Sequence, residues 1–241
     1  MASLRAGSGL SVAQTTTVTV TGNGSLAHIE GLSNLTTATD VELSNNQSLV
    51  DVEGLRSLQK ATTFALVDCP VTTLAGLRSL TSLTNFTAQS TSITNLQGLQ
   101  NVVFATGGTF SVAQDKLQST QGFGTAPSLV TMSIGNEPYL TDLTGLEGLK
   151  AVTQAFMLEY NPVLASLHGL ENLTSVQDFY IFNNTNLADI GALMSLTHID
   201  TLELEFAMVP YCTARKVFVH AGGAPLTKLE ADGGDRRTTC P

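Results

Sequence analysis

The side chains that most often perform catalysis are few in this sequence and widely dispersed. Its four histidines, His28, His168, His198 and His220, lie far apart, and none has a nearby Ser/Asp or Cys arrangement that suggests a triad. The cysteines show no Cys-x-x-Cys or Cys/His spacing of a metal site. No phosphate loop or dinucleotide fingerprint occurs. We therefore expect no enzymatic activity, no metal and no cofactor, and we interpret Cys69 as a buried thiol.

Carboxylates are the other candidates for chemistry. Glu30 and Glu53 occupy equivalent places in a sequence repeat, and Glu159, Glu203 and Glu205 form a second acidic group toward the C-terminal end. Paired carboxylates could serve a glycoside hydrolase or a lyase. They could equally form a solvated face, which is our interpretation, and a polysaccharide-active enzyme is kept as an alternative.

Charge and composition limit the classes of binding partner that we expect. The chain has 241 residues, of which 42% are hydrophobic, and 11 Lys and Arg stand against 20 Asp and Glu, for a formal charge of −9. Nucleic acid is excluded as a partner because phosphate recognition needs local positive charge. No apolar run is long enough to span a bilayer. Residues 1–14 lack the apolar core of a signal peptide, so we expect export only if a leader was removed.

A Gly-Leu pair recurs along the chain in steps of 22 to 24 residues and sets the organisation of the protein. Apolar residues recur three and six positions before and after each pair. A repeat unit of this size cannot bury its own apolar side, whereas stacked units form a continuous core. The sequence therefore predicts a solenoid of about eight coils. The pairs, two of them weakened, are Gly31-Leu32, Gly54-Leu55, Gly76-Leu77, Gly98-Leu99, Gly122-Phe123, Gly145-Leu146, Gly169-Leu170 and Ala192-Leu193.

Each repeat also contains a segment that alternates between inward and outward residues, which is typical of a β-strand. We expect one residue of each segment to stack in the core. These are Val41, Phe64, Phe86, Phe110, Met132, Phe156, Tyr180 and Leu202. Polar residues follow each strand and are expected to form a corner, since Asn and Asp tolerate left-handed backbone. They are Asn45, Asp68, Ser90, Gln114, Asn136, Asn161 and Asn184.

One repeat, about residues 100–131, departs from the pattern. It contains Gly107-Gly108, Gly122 and Gly124, and it places Thr120 and Ala126 in apolar columns. A bulge or a protruding loop accounts for this irregularity. A binding loop is the alternative.

Two segments carry a resemblance to a known family. NPVLASLHGLENL, from Asn161 to Leu173, and NQSLVDVEGLRSL, from Asn46 to Leu58, resemble the pattern N-x-x-L-x-x-L-x-G-L-x-x-L of receptor L-domain-like repeats. This family comprises the L domains of insulin and epidermal growth factor receptors, with leucine-rich-repeat-like relatives in fungal cell-wall and bacterial surface proteins. The resemblance covers about residues 17–204. It implies a right-handed parallel β-solenoid, an extracytoplasmic setting and a non-catalytic binding or wall-organising role.

The C-terminal segment is predicted to close the solenoid. Residues 214–221 could form a short capping helix, and Cys212 and Cys240 bracket the segment. Relatives of the L-domain type often close with such a cysteine pair, and a disulfide here would indicate an oxidising compartment. Two unpaired thiols are the alternative. We thus expect one solenoid domain over 1–241, with a cap strand in 1–21, repeats in 22–204 and a cap in 205–241.

The outward face of the strands is the predicted binding surface, because an apolar patch with a polar rim suits a protein or glycan partner. Its C-terminal end combines apolar and acidic residues. The predicted ligand-binding residues are Met157, Glu159, Phe179, Ile181, Glu203 and Glu205. The leading hypothesis is non-catalytic recognition of a protein or carbohydrate outside the cell or at its surface. A structural scaffold of the cell wall or surface is the main alternative, and a recurrent threonine column leaves an ice-binding face as a further one.

Overall fold

A parallel sheet with one strand per coil forms one side of the molecule. The computed structural model describes residues 2–3, 14–205 and 207–222. Within them, the strands of the main sheet follow one another in chain order, each parallel to the next. The strands are β1 (Ala2–Ser3), β2 (Gln14–Thr21), β3 (Leu26–His28), β4 (Thr37–Ser44), β5 (Thr63–Val67), β6 (Ser82–Gln89), β7 (Val103–Ala113), β8 (Leu129–Gly135), β9 (Ala151–Glu159), β10 (Ser175–Phe182) and β11 (His198–Glu205). Only β1 and β3 pair apart from this sheet. The predicted β-solenoid of about eight coils is confirmed.

Inward residues of consecutive strands stack on one another in the core. Phe64, Phe86 and Phe110 occupy paired positions on β5, β6 and β7. Their ring centroids lie 5.8 and 5.2 Å apart, with interplanar angles of 10° and 15°. Met132 continues the column on β8 and interrupts the run of rings, which resumes with Phe156 on β9. The predicted inward column is therefore confirmed from Val41 to Phe156.

The prediction was wrong by one residue on β10. Phe179 pairs with Phe156 and is fully buried, whereas Tyr180 pairs with Met157 and points outward. The register of β9 and β10 shifts between Val176 and Asp178, because β9 has one more residue than β10 in this stretch. Side chains alternate between the two faces of a strand, so a slip of one residue exchanges inward and outward positions.

Short 3₁₀ segments form the side of the coil opposite the sheet, as the three-residue spacing of the apolar columns indicates. They span Glu30–Leu32, Glu53–Leu55, Ala75–Leu77, Leu146–Gly148 and Gly191–Ser195. The leucines that follow the Gly-Leu pair by three residues are all buried and belong to one hydrophobic core. They include Leu35, Leu58, Leu80 and Leu149. The predicted spine of stacked leucines is confirmed.

A left-handed residue ends each strand from β4 to β10. The seven residues share φ values between 51° and 60° and are Asn45, Asp68, Ser90, Gln114, Asn136, Tyr160 and Asn183. The first five are the predicted corner residues. In the last two coils the corner lies one residue earlier than predicted, at Tyr160 and Asn183, so Asn161 and Asn184 occupy a different position.

A buried column of polar side chains, the polar ladder, lies directly after these corners. Its members are Asn46, Cys69, Thr91, Asp115, Glu137, Asn161 and Asn184, all of them buried. Most are linked to the neighbouring coil through the backbone N–H of the preceding member. For example, the N–H of Glu137 donates to Oδ1 of Asn161, and the N–H of Asn161 donates to Oδ1 of Asn184, both at 3.1 Å. The ladder satisfies backbone groups that would otherwise be buried without a partner.

The irregular repeat contains the bulge that the sequence predicts. The pairing of β7 with β6 and its pairing with β8 each contain a register shift, and Gly107 in this stretch has a φ of 88°. Phe104 enters the core here and stacks on Phe123 with a centroid distance of 5.0 Å. Thr120 and Ala126 are fully buried in the apolar columns, as expected. The extra residues are therefore absorbed within the strand.

A helix, α1 (Tyr211–His220), follows the last coil and covers all but the last residue of the capping helix predicted over 214–221. Ala214, Val217 and Phe218 are buried in the same core as the coils. Cys212 lies in the first turn of α1. Cys240 lies outside the described residues, so the Cys212–Cys240 disulfide stays a prediction. Among the described residues, no helix has the length and apolar character needed to cross a membrane.

Candidate functional site

The outward face of the sheet changes character along the solenoid. On β5 to β8 the outward residues paired across neighbouring strands are small or polar: Ala65, Thr87, Ser111 and Ser133. On β9 and β10 the same column continues with Met157 and Tyr180. In this column the large side chains, Met157 and Tyr180, therefore lie toward the C-terminal end of the face.

Six outward side chains on β9, β10 and β11 form a regular array, which we call the outward array. Its first row is Met157, Tyr180 and Glu203, and its second row is Glu159, Phe182 and Glu205. Neighbouring strands in a sheet lie about 4.8 Å apart, so the residues of one row are cross-strand neighbours. Both rows have an aromatic ring at the centre and a carboxylate toward β11.

The two rings form the centre of the outward array. The centroids of Tyr180 and Phe182 are 5.9 Å apart, with an interplanar angle of 29°. Both side chains are half-buried, so part of each ring surface remains available to solvent. Stacked rings on a strand are held by the backbone of the sheet, which makes them a rigid apolar platform.

Two predicted binding residues do not belong to this surface. Phe179 and Ile181 are fully buried and point into the core. The prediction placed them outward because it assumed the same spacing in β10 as in β9. In β9 the buried ring of Phe156 lies four residues after Val152, whereas in β10 the buried ring of Phe179 lies three residues after Val176. Their outward neighbours Tyr180 and Phe182 take their place. The signal for them in the sequence is the apolar residue Val176, from which the inward position lies three residues away, as in most coils.

The predicted acidic residues lie on the array with different exposure. Glu159 and Glu205 are half-buried. Glu203 is outward in register but only 9% exposed, so its contribution to a surface is smaller than predicted. Met157 is half-buried beside Tyr180. Four of the six predicted residues thus come together in the array, and Tyr180 and Phe182 are added to them.

Tyr160 is a further exposed aromatic residue, directly after the end of β9. It follows Glu159 at the corner, is 52% exposed, and has a φ of 56°. Its N–H donates to the carbonyl of Phe182 at 2.9 Å, which ties the corner to β10. Left-handed backbone is uncommon for a bulky residue, and such positions often occur at functional sites. The other corners carry Asn, Asp, Ser or Gln.

Several histidines and carboxylates outside the outward array form contacts at the surface. His28 Nδ1 and Asp51 Oδ2 are 2.9 Å apart, and Arg78 donates to Glu53 Oε2 at 2.9 Å. His168 Nδ1 lies 2.6 Å from Glu171 Oε1. The hydrogen bond and the charge of Glu171 raise the pKa of the His168 imidazole, which is exposed. The first two contacts join neighbouring coils, and the contact of His168 with Glu171 lies within one coil.

The outward array can bind by stacking and by hydrogen bonding. Its rings offer apolar faces, and its carboxylates accept hydrogen bonds from hydroxyl or amine groups. In the described part of the chain, no group of three or more His, Cys, Asp or Glu side chains is arranged to hold a metal ion. Comparison with models of known protein families and with curated proteins gave no match for this chain.

Proposed function

We propose that the protein is a non-catalytic recognition module of the cell surface or extracellular space and that the outward array binds an extended glycan. The observation that carries the proposal is the pair of half-buried rings, Tyr180 and Phe182, on the outward face of the parallel sheet, with Phe182 between the carboxylates of Glu159 and Glu205. A sugar ring presents C–H groups on its faces and hydroxyls at its edge. The stacked rings match the faces, and Glu159 and Glu205 match the hydroxyls.

Charge favours a neutral glycan over an acidic one. The chain carries a formal charge of −9, and the second row of the array has one carboxylate on each side of Phe182. An acidic polysaccharide would be repelled by these carboxylates. A neutral chain loses less hydration free energy than an ion on binding, and carboxylates accept hydrogen bonds from its hydroxyls.

Rigidity supports recognition of an extended ligand. The array lies on three consecutive parallel strands whose inward residues, Phe156, Phe179 and Leu202, are fully buried. A preformed surface loses little conformational entropy on binding. The resemblance to receptor L domains is consistent with binding through a solenoid face, although fold alone does not determine function.

Affinity electrophoresis against immobilised neutral and acidic polysaccharides tests the proposal. We expect retardation by at least one neutral polysaccharide, such as a β-glucan or a mannan, and none by alginate. The double variant Tyr180→Ala/Phe182→Ala should lose at least about tenfold in affinity, the equivalent of 1.4 kcal/mol. The matched control is Thr87→Ala/Gln89→Ala, which truncates the equivalent positions on β6 and should bind like the wild type.

Three results would contradict the proposal. They are retardation by alginate alone, unchanged binding by the Tyr180→Ala/Phe182→Ala variant, and absence of binding to the whole neutral panel. Circular dichroism of both double variants establishes that a loss of affinity does not come from a loss of fold. Saturable binding of a polypeptide through the same rings would replace the glycan with a protein partner.

A further inference from the structure

The polar ladder contains carboxyl groups in two consecutive coils. Asp115 is 4% exposed and Glu137 is fully buried. Three other coils, with Asn46, Asn161 and Asn184, have a neutral amide at this position. Asp and Glu are almost never fully buried without a partner, because transfer of a charge out of water is costly. Their protonation state therefore matters for this fold.

The asparagines define what the position requires. Each uses Oδ1 to accept the N–H of the ladder residue before it or, for Asn46, the N–H of Asn23. Each uses Nδ2 to donate to a carbonyl of the preceding strand. Asn46 donates to the carbonyl of Val20 at 2.8 Å, Asn161 to that of Ile134 at 3.2 Å, and Asn184 to that of Leu158 at 2.7 Å. The position thus calls for one acceptor and one donor.

The three acceptor carbonyls belong to one column of the sheet. Strand pairing connects Val20, Leu43, Leu66, Ala88, Val112, Ile134 and Leu158 in register. Cys69 follows the same rule, since its Sγ lies 3.5 Å from the carbonyl of Leu43. By this register, the carbonyl that faces the ladder residue Asp115 is that of Ala88 on β6.

Asp115 supplies the acceptor but, when ionised, lacks the donor. Its Oδ1 accepts the N–H of Thr91 at 2.6 Å, as the asparagine Oδ1 atoms do. Its Oδ2 is buried and has no hydrogen-bond partner among the described residues. An ionised carboxylate would therefore direct an oxygen at the carbonyl side of the ladder, where two acceptors repel each other. A proton on Oδ2 turns it into the required donor.

Glu137 shows the opposite pattern. Its Oε1 accepts the N–H of Asp115 at 3.1 Å, and its Oε2 accepts the N–H of Leu117 at 3.0 Å. Both oxygens therefore face donors, so an ionised carboxylate fits this position. A proton on either oxygen would face an N–H and displace it.

We infer that the ladder holds a structural proton on Oδ2 of Asp115, which donates to the carbonyl of Ala88, while Glu137 carries the negative charge. Asp115 thereby replaces an asparagine as a neutral acid. The site makes the stability of the middle coils depend on pH, with the folded state favoured on the acidic side.

The surroundings of the pair are consistent with retention of a proton. Lys116 follows Asp115 but is exposed, and the ladder neighbours on either side of the pair are the neutral Thr91 and Asn161. Burial raises the pKa values of the two carboxyls, to about 6 and about 8 for the pair, and repulsion between the two acids contributes to the rise. The pair therefore holds at least one proton at neutral pH, and the donors and acceptors around it place that proton on Asp115.

The sign of the pH dependence follows from these values. Both pKa values are higher in the folded chain than their ordinary values of 3.8 and 4.5. At a pH between the ordinary and the raised values, the folded state therefore binds more protons than the unfolded state. The stabilisation is fully present below about pH 4 and declines as the pH rises to about 8. Above that pH the contribution of the pair is constant.

Substitution of each acid by its amide tests the assignment. Asp115→Asn supplies the donor permanently, so its Tm should exceed that of the wild type by on the order of 5 °C at about pH 8.5 and by much less at about pH 5. Glu137→Gln turns one acceptor into a donor that faces an N–H, so its Tm should fall at both pH values. Asp40→Asn, on the outward face of β4, is the matched control and should leave the profile unchanged.

Carbon-13 NMR of the Asp115 side-chain carboxyl in the wild-type chain gives a direct test that needs no variant. We expect the shift of a protonated carboxyl at pH 7 and loss of that proton in the alkaline range. An ionised Asp115 at pH 7 would overturn the inference. So would a destabilised Asp115→Asn variant at alkaline pH, or a Glu137→Gln variant more stable than the wild type.

Discussion

Gly76 lies directly against the carbonyl oxygen of Val52 in the preceding coil. A Cβ atom added to Gly76 would be 2.0 Å from that oxygen. Gly54 and Gly98 meet the carbonyls of Ile29 and Leu74 at the same distance. The glycine of the Gly-Leu pair thus recurs because the backbone of the neighbouring coil occupies the space of its side chain.

Replacement of this glycine should separate two coils. We expect Gly76→Ala to lower the free energy of unfolding by at least about 2 kcal/mol, because the backbone must move to admit the methyl group. Urea denaturation followed by circular dichroism measures the change. Gly24→Ala is the control, since nothing lies within 4 Å of its added Cβ, and it should change stability by less than about 0.5 kcal/mol. Equal effects of the two variants would contradict the close approach.

Loss of one ladder amide should destabilise two coils at once. Asn184 accepts the N–H of Asn161 at 3.1 Å and donates to the carbonyl of Leu158 at 2.7 Å. Asn184→Ala leaves both groups buried without a partner, which we expect to cost about 3 kcal/mol. Asn172→Ala removes a hydrogen bond of an exposed side chain and should cost less than about 1 kcal/mol. Chemical denaturation of both variants at one pH measures the difference.

Truncation within the ring column should leave a cavity. Phe86 is fully buried between Phe64 and Phe110. We expect Phe86→Ala to lower the free energy of unfolding by about 4 kcal/mol through lost contacts and the cavity that remains. Thr87→Ala, at the next residue on the outward face, serves as the control in the same denaturation experiment. A loss below about 1 kcal/mol for Phe86→Ala would show that the neighbouring rings close the space.

Cys69 should react only when the fold opens. Its side chain is fully buried, and burial raises the pKa of the thiol, so little thiolate is present and none is accessible. We expect iodoacetamide to modify the Cys69 peptide in denaturant but not under native conditions, as measured by mass spectrometry. A cysteine introduced by Thr72→Cys at an exposed position should react in both. Rapid native labelling of Cys69 would indicate local opening of the ladder.

The sequence was sufficient for features that depend on residue type alone. The apolar character of Phe64, Phe86 and Leu58 predicts that they are buried, and their spacing predicts the columns in which they stack. The error at Phe179 and Tyr180 has a different origin. Both are aromatic, so their type does not say which one is inward, and the choice depends on a one-residue difference between β9 and β10.

The polar ladder could not be predicted for a related reason. Its members include Asn46, Cys69, Thr91 and Glu137, which share no side-chain chemistry. What unites them is their place after the corner and hydrogen bonds to residues about one coil away. The sequence contains a signal, since each member lies two or three residues before a core residue such as Leu49 or Leu140. The candidate binding rings were likewise fixed only once the register of β10 was known.

The interruption of the ring column at Met132 has a mechanical consequence. Phe64, Phe86 and Phe110 form one run of rings, and Phe156 and Phe179 form another. In a solenoid each coil contacts only its immediate neighbours, so the contact between the two most weakly packed coils limits the pulling force that the solenoid resists. Between β5 and β10 the column lacks a ring only at Met132, whose coil also carries the buried Glu137, so we expect the weakest contact there. Pulled from its two ends, the rod should part there and lengthen in two steps, one for each half.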